Sequence, residues 1–183
     1  MARGLLVIDI QRDYFPGGAF PLVDPEAAAA AARTVLDAFR SAGDPVVHLR
    51  HVWDSPEATF MRPGTPGVEI HPTVAPVNSE PVIDKTAPNG FLGTDLAVVL
   101  EELDVHHLHM VGMMSSMCVD ATVRAAADLG LKITLIHDGC AAPDLEFDGL
   151  VVPGAMVHAA FMAALADGYA DVVSSIDLVA RSA

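Results

Sequence analysis

Gly4-Leu5-Leu6-Val7-Ile8-Asp9-Ile10 is an apolar, strand-forming run interrupted near its carboxyl end by a single carboxylate. Outward from it, short β-rich runs at Pro45–Val52, Glu80–Asp84, His107–Gly112, Leu131–His137 and Asp171–Ser174 alternate with Ala- and Leu-rich stretches. This alternation predicts an α/β fold: a doubly wound, mostly parallel six-stranded sheet with helices on both faces, Rossmann-like and three-layered.

Between the first two runs, Pro25–Ala42 carries Ala28, Ala32, Val35, Leu36 and Phe39 at helical spacing and stops at Gly43. Asp24-Pro25-Glu26 reads as an N-cap followed by a first-turn proline. Further helices are expected at Thr94–Leu103, Cys118–Leu129 and Pro153–Ala166. The connection Trp53–Ser79 is rich in Pro and Gly and is expected to wall an active site rather than link domains. With 183 residues, 52% of them hydrophobic, the chain suits one domain spanning 1–183.

The formal charge of −14 would repel phosphate backbones, so nucleic acid is not an expected partner. Cys118 and Cys140 are too few for a disulfide framework and read as free thiols in a reducing compartment. The apolar run before Asp9 is shorter than a signal-peptide core, and no later run reaches membrane-spanning length. A cytoplasmic location away from membranes is the expectation.

Open parallel sheets bind ligands beyond the carboxyl ends of their strands. Polar residues at those positions are Asp9, Lys85 and Cys118. A buried Asp9 needs a cationic or hydrogen-bonding partner, and Lys85 is the obvious candidate. Cys118 follows Met113-Met114-Ser115-Ser116-Met117 at an expected helix start. There the helix dipole and a nearby Lys would lower the thiol pKa and favour thiolate. Each residue alone has a plain structural explanation: a strand-end Asp as a cap, a lone Lys in solvent, a lone Cys in the core.

Taken together, these segments resemble the isochorismatase-like cysteine hydrolase family, which includes nicotinamidases, N-carbamoylsarcosine amidases and streptothricin hydrolases, across nearly the whole chain. Leu5-Leu6-Val7-Ile8-Asp9-Ile10-Gln11-Arg12-Asp13-Tyr14-Phe15 is similar to the family's first strand and acidic motif. Val82-Ile83-Asp84-Lys85 and Asn89-Gly90-Phe91-Leu92-Gly93 resemble the lysine segment, and Val111-Gly112-Met113-Met114-Ser115-Ser116-Met117-Cys118 the nucleophile loop.

The resemblance implies a catalytic triad of Asp9 as acid/base, Lys85 and the nucleophile Cys118. It also implies a cis peptide between Met113 and Met114, and an oxyanion hole made by the backbone N–H groups of Met114 and Cys118. The implied activity is hydrolysis of an amide or related C–N bond in a small molecule through a Cys118 thioester, by a homo-oligomer, dimer or tetramer.

One motif departs from the nicotinamidases. Where they carry Asp-x-His metal ligands, this chain reads His51-Val52-Trp53, and His71 matches only a downstream ligand. That moves the expectation toward metal-free amidases with no cofactor, and away from nicotinamide. Trp53, with Phe20, Phe60, Phe91 and Met113, would instead supply an apolar substrate pocket, although each also suits the core. Competing readings are an isochorismatase-type vinyl-ether hydrolase and a non-catalytic small-molecule-binding protein of the same fold. His106, His107 and His109 read as a solvated strand entrance, and Cys140 as structural.

Overall fold

In the computed structural model, which describes residues 2–77 and 79–182, six strands form one sheet. The chain runs β1 (Ala2–Ile8), α1 (Pro25–Ala42), β2 (Val46–His51), β3 (Val82–Lys85), α2 (Leu96–Glu102), β4 (Val105–Met113), α3 (Asp120–Asp128) and β5 (Lys132–Ala141). It continues through β6 (Leu145–Phe147), β7 (Leu150–Val152), α4 (Gly154–Ala166), β8 (Asp171–Val173) and α5 (Ser175–Ser182).

The sheet order is β3-β2-β1-β4-β5-β8, and every pairing within it is parallel. β1 therefore lies between β2 and β4, and the connections leave it in opposite directions. That is the switch point at which an open α/β sheet forms its ligand crevice.

The period-two geometry of β1 sorts its side chains between two cores. Leu5 and Val7 face Ala32, Val35, Leu36 and Phe39 of α1. Leu6 and Ile8 face the other way, into a cluster holding Leu96, Leu100, Val123, Ala126 and Leu165 of α2, α3 and α4. Full burial of such a side chain contributes about 1.5–3 kcal/mol, so a strand apolar on both faces is held firmly at the centre of the sheet.

β4 meets β1 with Gly112 opposite Ile8. Gly112 has φ +153°, and a Cβ there would stand 2.2 Å from the Ile8 carbonyl oxygen. Only glycine lets the two strands end this close together, which brings the loop after β4 to the end of β1.

The structure adjusts several sequence expectations. β1 stops at Ile8 because Asp9 turns to a left-handed φ of 49°. Asp24 also lies in the left-handed region and its side chain makes no capping hydrogen bond, so it does not cap α1 as expected. The helix expected from Cys118 starts at Asp120, after a π-type turn over Ser115–Val119. The β6–β7 hairpin and α5 were not anticipated. For the hairpin the signal is present: Asp148-Gly149, at φ 51° and 76°, matches the two left-handed residues that a tight hairpin turn requires. Among the described residues, no helix is long and apolar enough to cross a membrane.

Candidate active site

Four neighbouring strands deliver the site residues. Asp9 directly follows β1, His51 and Lys85 are the last residues of β2 and β3, and Cys118 sits in the turn after β4. His51 and Lys85 are paired in register. The order of the sheet thus brings together side chains that are far apart in sequence.

Lys85 Nζ lies 2.7 Å from Asp9 Oδ2, with both side chains 0% exposed. The same ammonium stands 3.1 Å from His51 Nδ1 and donates to the Ala87 carbonyl at 3.0 Å. Cys118 is buried beside them, and ligand-type atoms of Asp9, His51 and Cys118 all lie within 4.8 Å of one another. Neither Asp9 oxygen has an aligned hydrogen-bond donor, so its contact with Lys85 is an ion pair of close charges. The carboxylate keeps lone pairs open toward the thiol side of the nest.

The expected lowering of the Cys118 pKa is not what this arrangement produces. Burial pushes the thiol up, Asp9 pushes it further, and Lys85 opposes them without prevailing. The reason is charge balance. Asp9 and Lys85 cancel, so a thiolate would add a net negative charge to a desolvated nest. Cys118 also lies within the π-type turn before α3 rather than at the helix start expected from sequence. For Lys85, burial pulls the pKa down, but Asp9 and then Cys118 outweigh it and leave the ammonium above its ordinary value. His51 is lowered by burial and by Lys85, against a smaller opposing effect from Asp9. The nest therefore rests with a Lys85 ammonium paired to Asp9, a neutral His51 and a Cys118 thiol.

The residues after Asp9 build its frame. The buried Gln11 amide donates to the carbonyls of His51 at 2.8 Å and Val68 at 2.7 Å, and accepts from the His51 N–H at 2.8 Å. Asp13 accepts from the N–H groups of Ala19 at 3.0 Å and Met61 at 2.6 Å, tying two loops to the motif. Thr122 of α3 accepts from the Gly90 N–H at 3.0 Å, joining the segment after Lys85 to the helix after Cys118. The Met113–Met114 peptide is cis. The Met114 carbonyl accepts from the N–H groups of Met117 and Val119, both at 3.1 Å, which curls the turn around Cys118. Ser115 Oγ is 2.9 Å from His158 Nδ1 of α4.

The residues considered for a substrate pocket divide. Phe20 and Phe60 stack with centroids 4.9 Å apart, and Trp53 meets Phe60 edge-on at 5.4 Å. All three are partly buried against the α1-side core. Phe91 packs instead against the opposite core, which includes Cys118. Met113 is fully enclosed in the α1-side core. A cavity of about 690 Å³ is lined by Asp13, Phe60, Arg12, Arg62 and His71 among others, and none of Asp9, Lys85 or Cys118 lines it.

His71 stacks on Phe15 with centroids 3.7 Å apart and its Nδ1 accepts from Thr73 N. It does not join His51. Among the described residues, the group able to offer three ligands at close range is Asp9, His51 and Cys118, and the Lys85 ammonium already stands against two of them. His107 contacts Thr134 Oγ1 at 2.9 Å and His109 packs against Phe39, both within β4 rather than at its carboxyl end. Cys140 is buried, its Sγ donating to the Ile136 carbonyl at 3.4 Å, and burial pushes its thiol up to about 12.

The chain is similar to known proteins at several levels of likeness. The isochorismatase domain family matches residues 3–177. YddQ of Bacillus subtilis (strain 168), an uncharacterised isochorismatase family protein, is 48% identical over 94% of this chain and 96% of its own. A streptothricin hydrolase of Streptomyces noursei is 36% identical over 99% of this chain, which spans 63% of that enzyme's length. The crystal structure of a cysteine hydrolase from Pseudomonas syringae pv. phaseolicola 1448A covers 98% of this chain and 92% of its own with a TM-score of 0.91 and 25% identity.

Proposed function

The chain belongs to the isochorismatase family of hydrolases, and from that membership we propose that it cleaves an amide or related C–N bond of a small molecule with Cys118 as nucleophile. The supporting observation is the buried Asp9–Lys85 pair at 2.7 Å with the Cys118 thiol beside it. Burying two opposite charges costs several kcal/mol of desolvation for each ion, of order of magnitude, and stability alone gives little reason to keep them.

The neutral thiol defines the first step. As Cys118 Sγ bonds to the substrate carbonyl carbon, its proton passes to Asp9, so no free buried thiolate need accumulate. Negative charge moves to the carbonyl oxygen, where backbone N–H groups of the Met114–Cys118 turn would receive it. Collapse of that intermediate breaks the C–N bond, and Asp9 gives the proton to the departing nitrogen. The acyl group is left as a thioester on Cys118.

Water then enters, Asp9 takes a proton from it, and the resulting hydroxide attacks the thioester. The sulfur leaves and is reprotonated, giving a carboxylic acid and restoring the resting charges. Lys85 stays protonated throughout and offsets the negative charge that moves between Asp9, the oxyanion and the sulfur. Streptothricin hydrolase, by its name, hydrolyses streptothricin, and its likeness over 99% of this chain supports a hydrolytic reading.

The decisive experiment is a screen for ammonia or amine release from primary amides, lactams and ureides, with Cys118→Ala in parallel. Turnover is expected to vanish in the variant with its thermal midpoint nearly unchanged, and rapid quench of the wild type should show an acyl adduct on the Cys118 peptide. Hydrolysis retained by Cys118→Ala would sink the assignment.

A further inference from the structure

An ammonium carries three N–H donors. Lys85 Nζ has three acceptors in reach: Asp9 Oδ2 at 2.7 Å, the Ala87 carbonyl at 3.0 Å and His51 Nδ1 at 3.1 Å. Two of these contacts are hydrogen bonds and the Asp9 contact is an ion pair, so the buried ammonium is held by groups of the protein.

The third contact fixes the state of the histidine. A charged imidazole would place a second cation 3.1 Å from Lys85 Nζ. A neutral ring with its proton on Nδ1 would point a donor at another donor. Only the neutral Nε2–H tautomer offers a lone pair on Nδ1. The ring has little freedom to sit elsewhere, because Gln11 holds the His51 backbone on both sides, through its N–H and its carbonyl, each at 2.8 Å. The pairing of β2 with β3 then sets His51 directly beside Lys85.

We propose that His51 is a positioning residue, a neutral acceptor that directs the Lys85 ammonium onto Asp9 and Cys118 instead of onto the substrate. This role rests on the reading of Cys118 as nucleophile. With an apolar side chain in place of His51, one ammonium proton loses its partner, the lysine turns toward other acceptors, and the thiol loses part of the positive charge that opposes its high pKa.

The test compares wild type with His51→Leu, which fills the space without an acceptor, and His51→Asn, whose Oδ1 lies near the position of Nδ1. Iodoacetamide is the probe, and the alkylated Cys118 peptide is followed by mass spectrometry at neutral pH, which separates it from Cys140. His51→Leu should alkylate about tenfold more slowly, the change in thiolate fraction for a one-unit rise in pKa. His51→Asn should stay close to wild type. Imidazole ¹⁵N shifts of wild type should show the Nε2–H tautomer.

Equal alkylation rates for wild type and His51→Leu, with both folded by circular dichroism, would overturn the proposal. So would an Nδ1–H tautomer, which needs no variant to fold. The hydrolase reading fails separately, through turnover retained in Cys118→Ala, because alkylation and tautomer report on the hold on Lys85 without any substrate.

Discussion

At the carboxyl ends of β1, β2, β3 and β4 the protein encloses Asp9 and Lys85 completely, while in the β6–β7 hairpin it leaves Phe147 82% and Leu150 67% exposed. Val151 and Met156 extend that apolar surface across the hairpin and onto α4. Both regions reverse the ordinary preference for apolar residues inside and charges outside. The reversals have different origins. In the nest each ion is compensated by another, and the pair and the Cys118 thiol beside it are held away from water. Among the described residues the hairpin's apolar side chains face solvent, a surface that the homo-oligomer expected from the sequence would cover.

The contrast is broken most severely by removing one charge from the nest. Lys85→Met leaves the Asp9 carboxylate buried and alone, and is expected to cost about 3–5 kcal/mol in urea unfolding. Asp9→Asn strands Lys85 in the same way and should lower turnover by about 10²–10⁴-fold, the worth of a general acid/base. The double variant Asp9→Asn/Lys85→Met should regain most of the stability and none of the activity. Asp9→Asn carries a second expectation of opposite sign: since Asp9 raises the thiol pKa and Lys85 lowers it, Cys118 should react faster with iodoacetamide at neutral pH although catalysis is lost. Slower alkylation would contradict the charge balance described for the nest.

The hairpin tests the other half of the comparison. Phe147→Asp with Leu150→Asp is expected to shift sedimentation from an oligomer to a single protomer while circular dichroism stays unchanged. A wild type already monomeric at micromolar concentration would show that the patch has another use. The smallest effect should come from Cys140→Ala, which removes a thiol enclosed in the core near Gly112: about 1–2 kcal/mol of stability at most, and turnover as in wild type.

Much of the frame is legible in residue order. Leu5-Leu6-Val7-Ile8 and the Ala-rich α1 show their periodicities directly, because a strand or helix is selected over a few neighbouring residues. Asp9, Lys85 and Cys118 stand out as polar residues at strand ends within motifs that resemble a known family. The hairpin around Asp148-Gly149 was legible too, but its strands are only three residues each and its side chains face solvent, so the usual burial pattern is missing.

His51 shows where that legibility stops. In sequence it marks only a departure from a metal motif of the nicotinamidases, 34 residues from Lys85, and nothing local says that the two touch. Gln11 and Asp13 likewise read as parts of a motif, while their hydrogen bonds to His51, Val68, Ala19 and Met61 exist only after the loops have folded back.

By itself, then, the sequence determined the alternation of strands and helices, the two apolar faces of the central strand and the place of the candidate thiol after β4, since these follow from short-range pattern and side-chain chemistry. The tertiary structure decided which residues surround that thiol and in which protonation state it rests. A helix start and a lysine suggested a thiolate. Burial beside an already neutralised Asp9–Lys85 pair favours the thiol, because the cost of burying a charge depends on everything packed around it, and no single stretch of sequence contains that information.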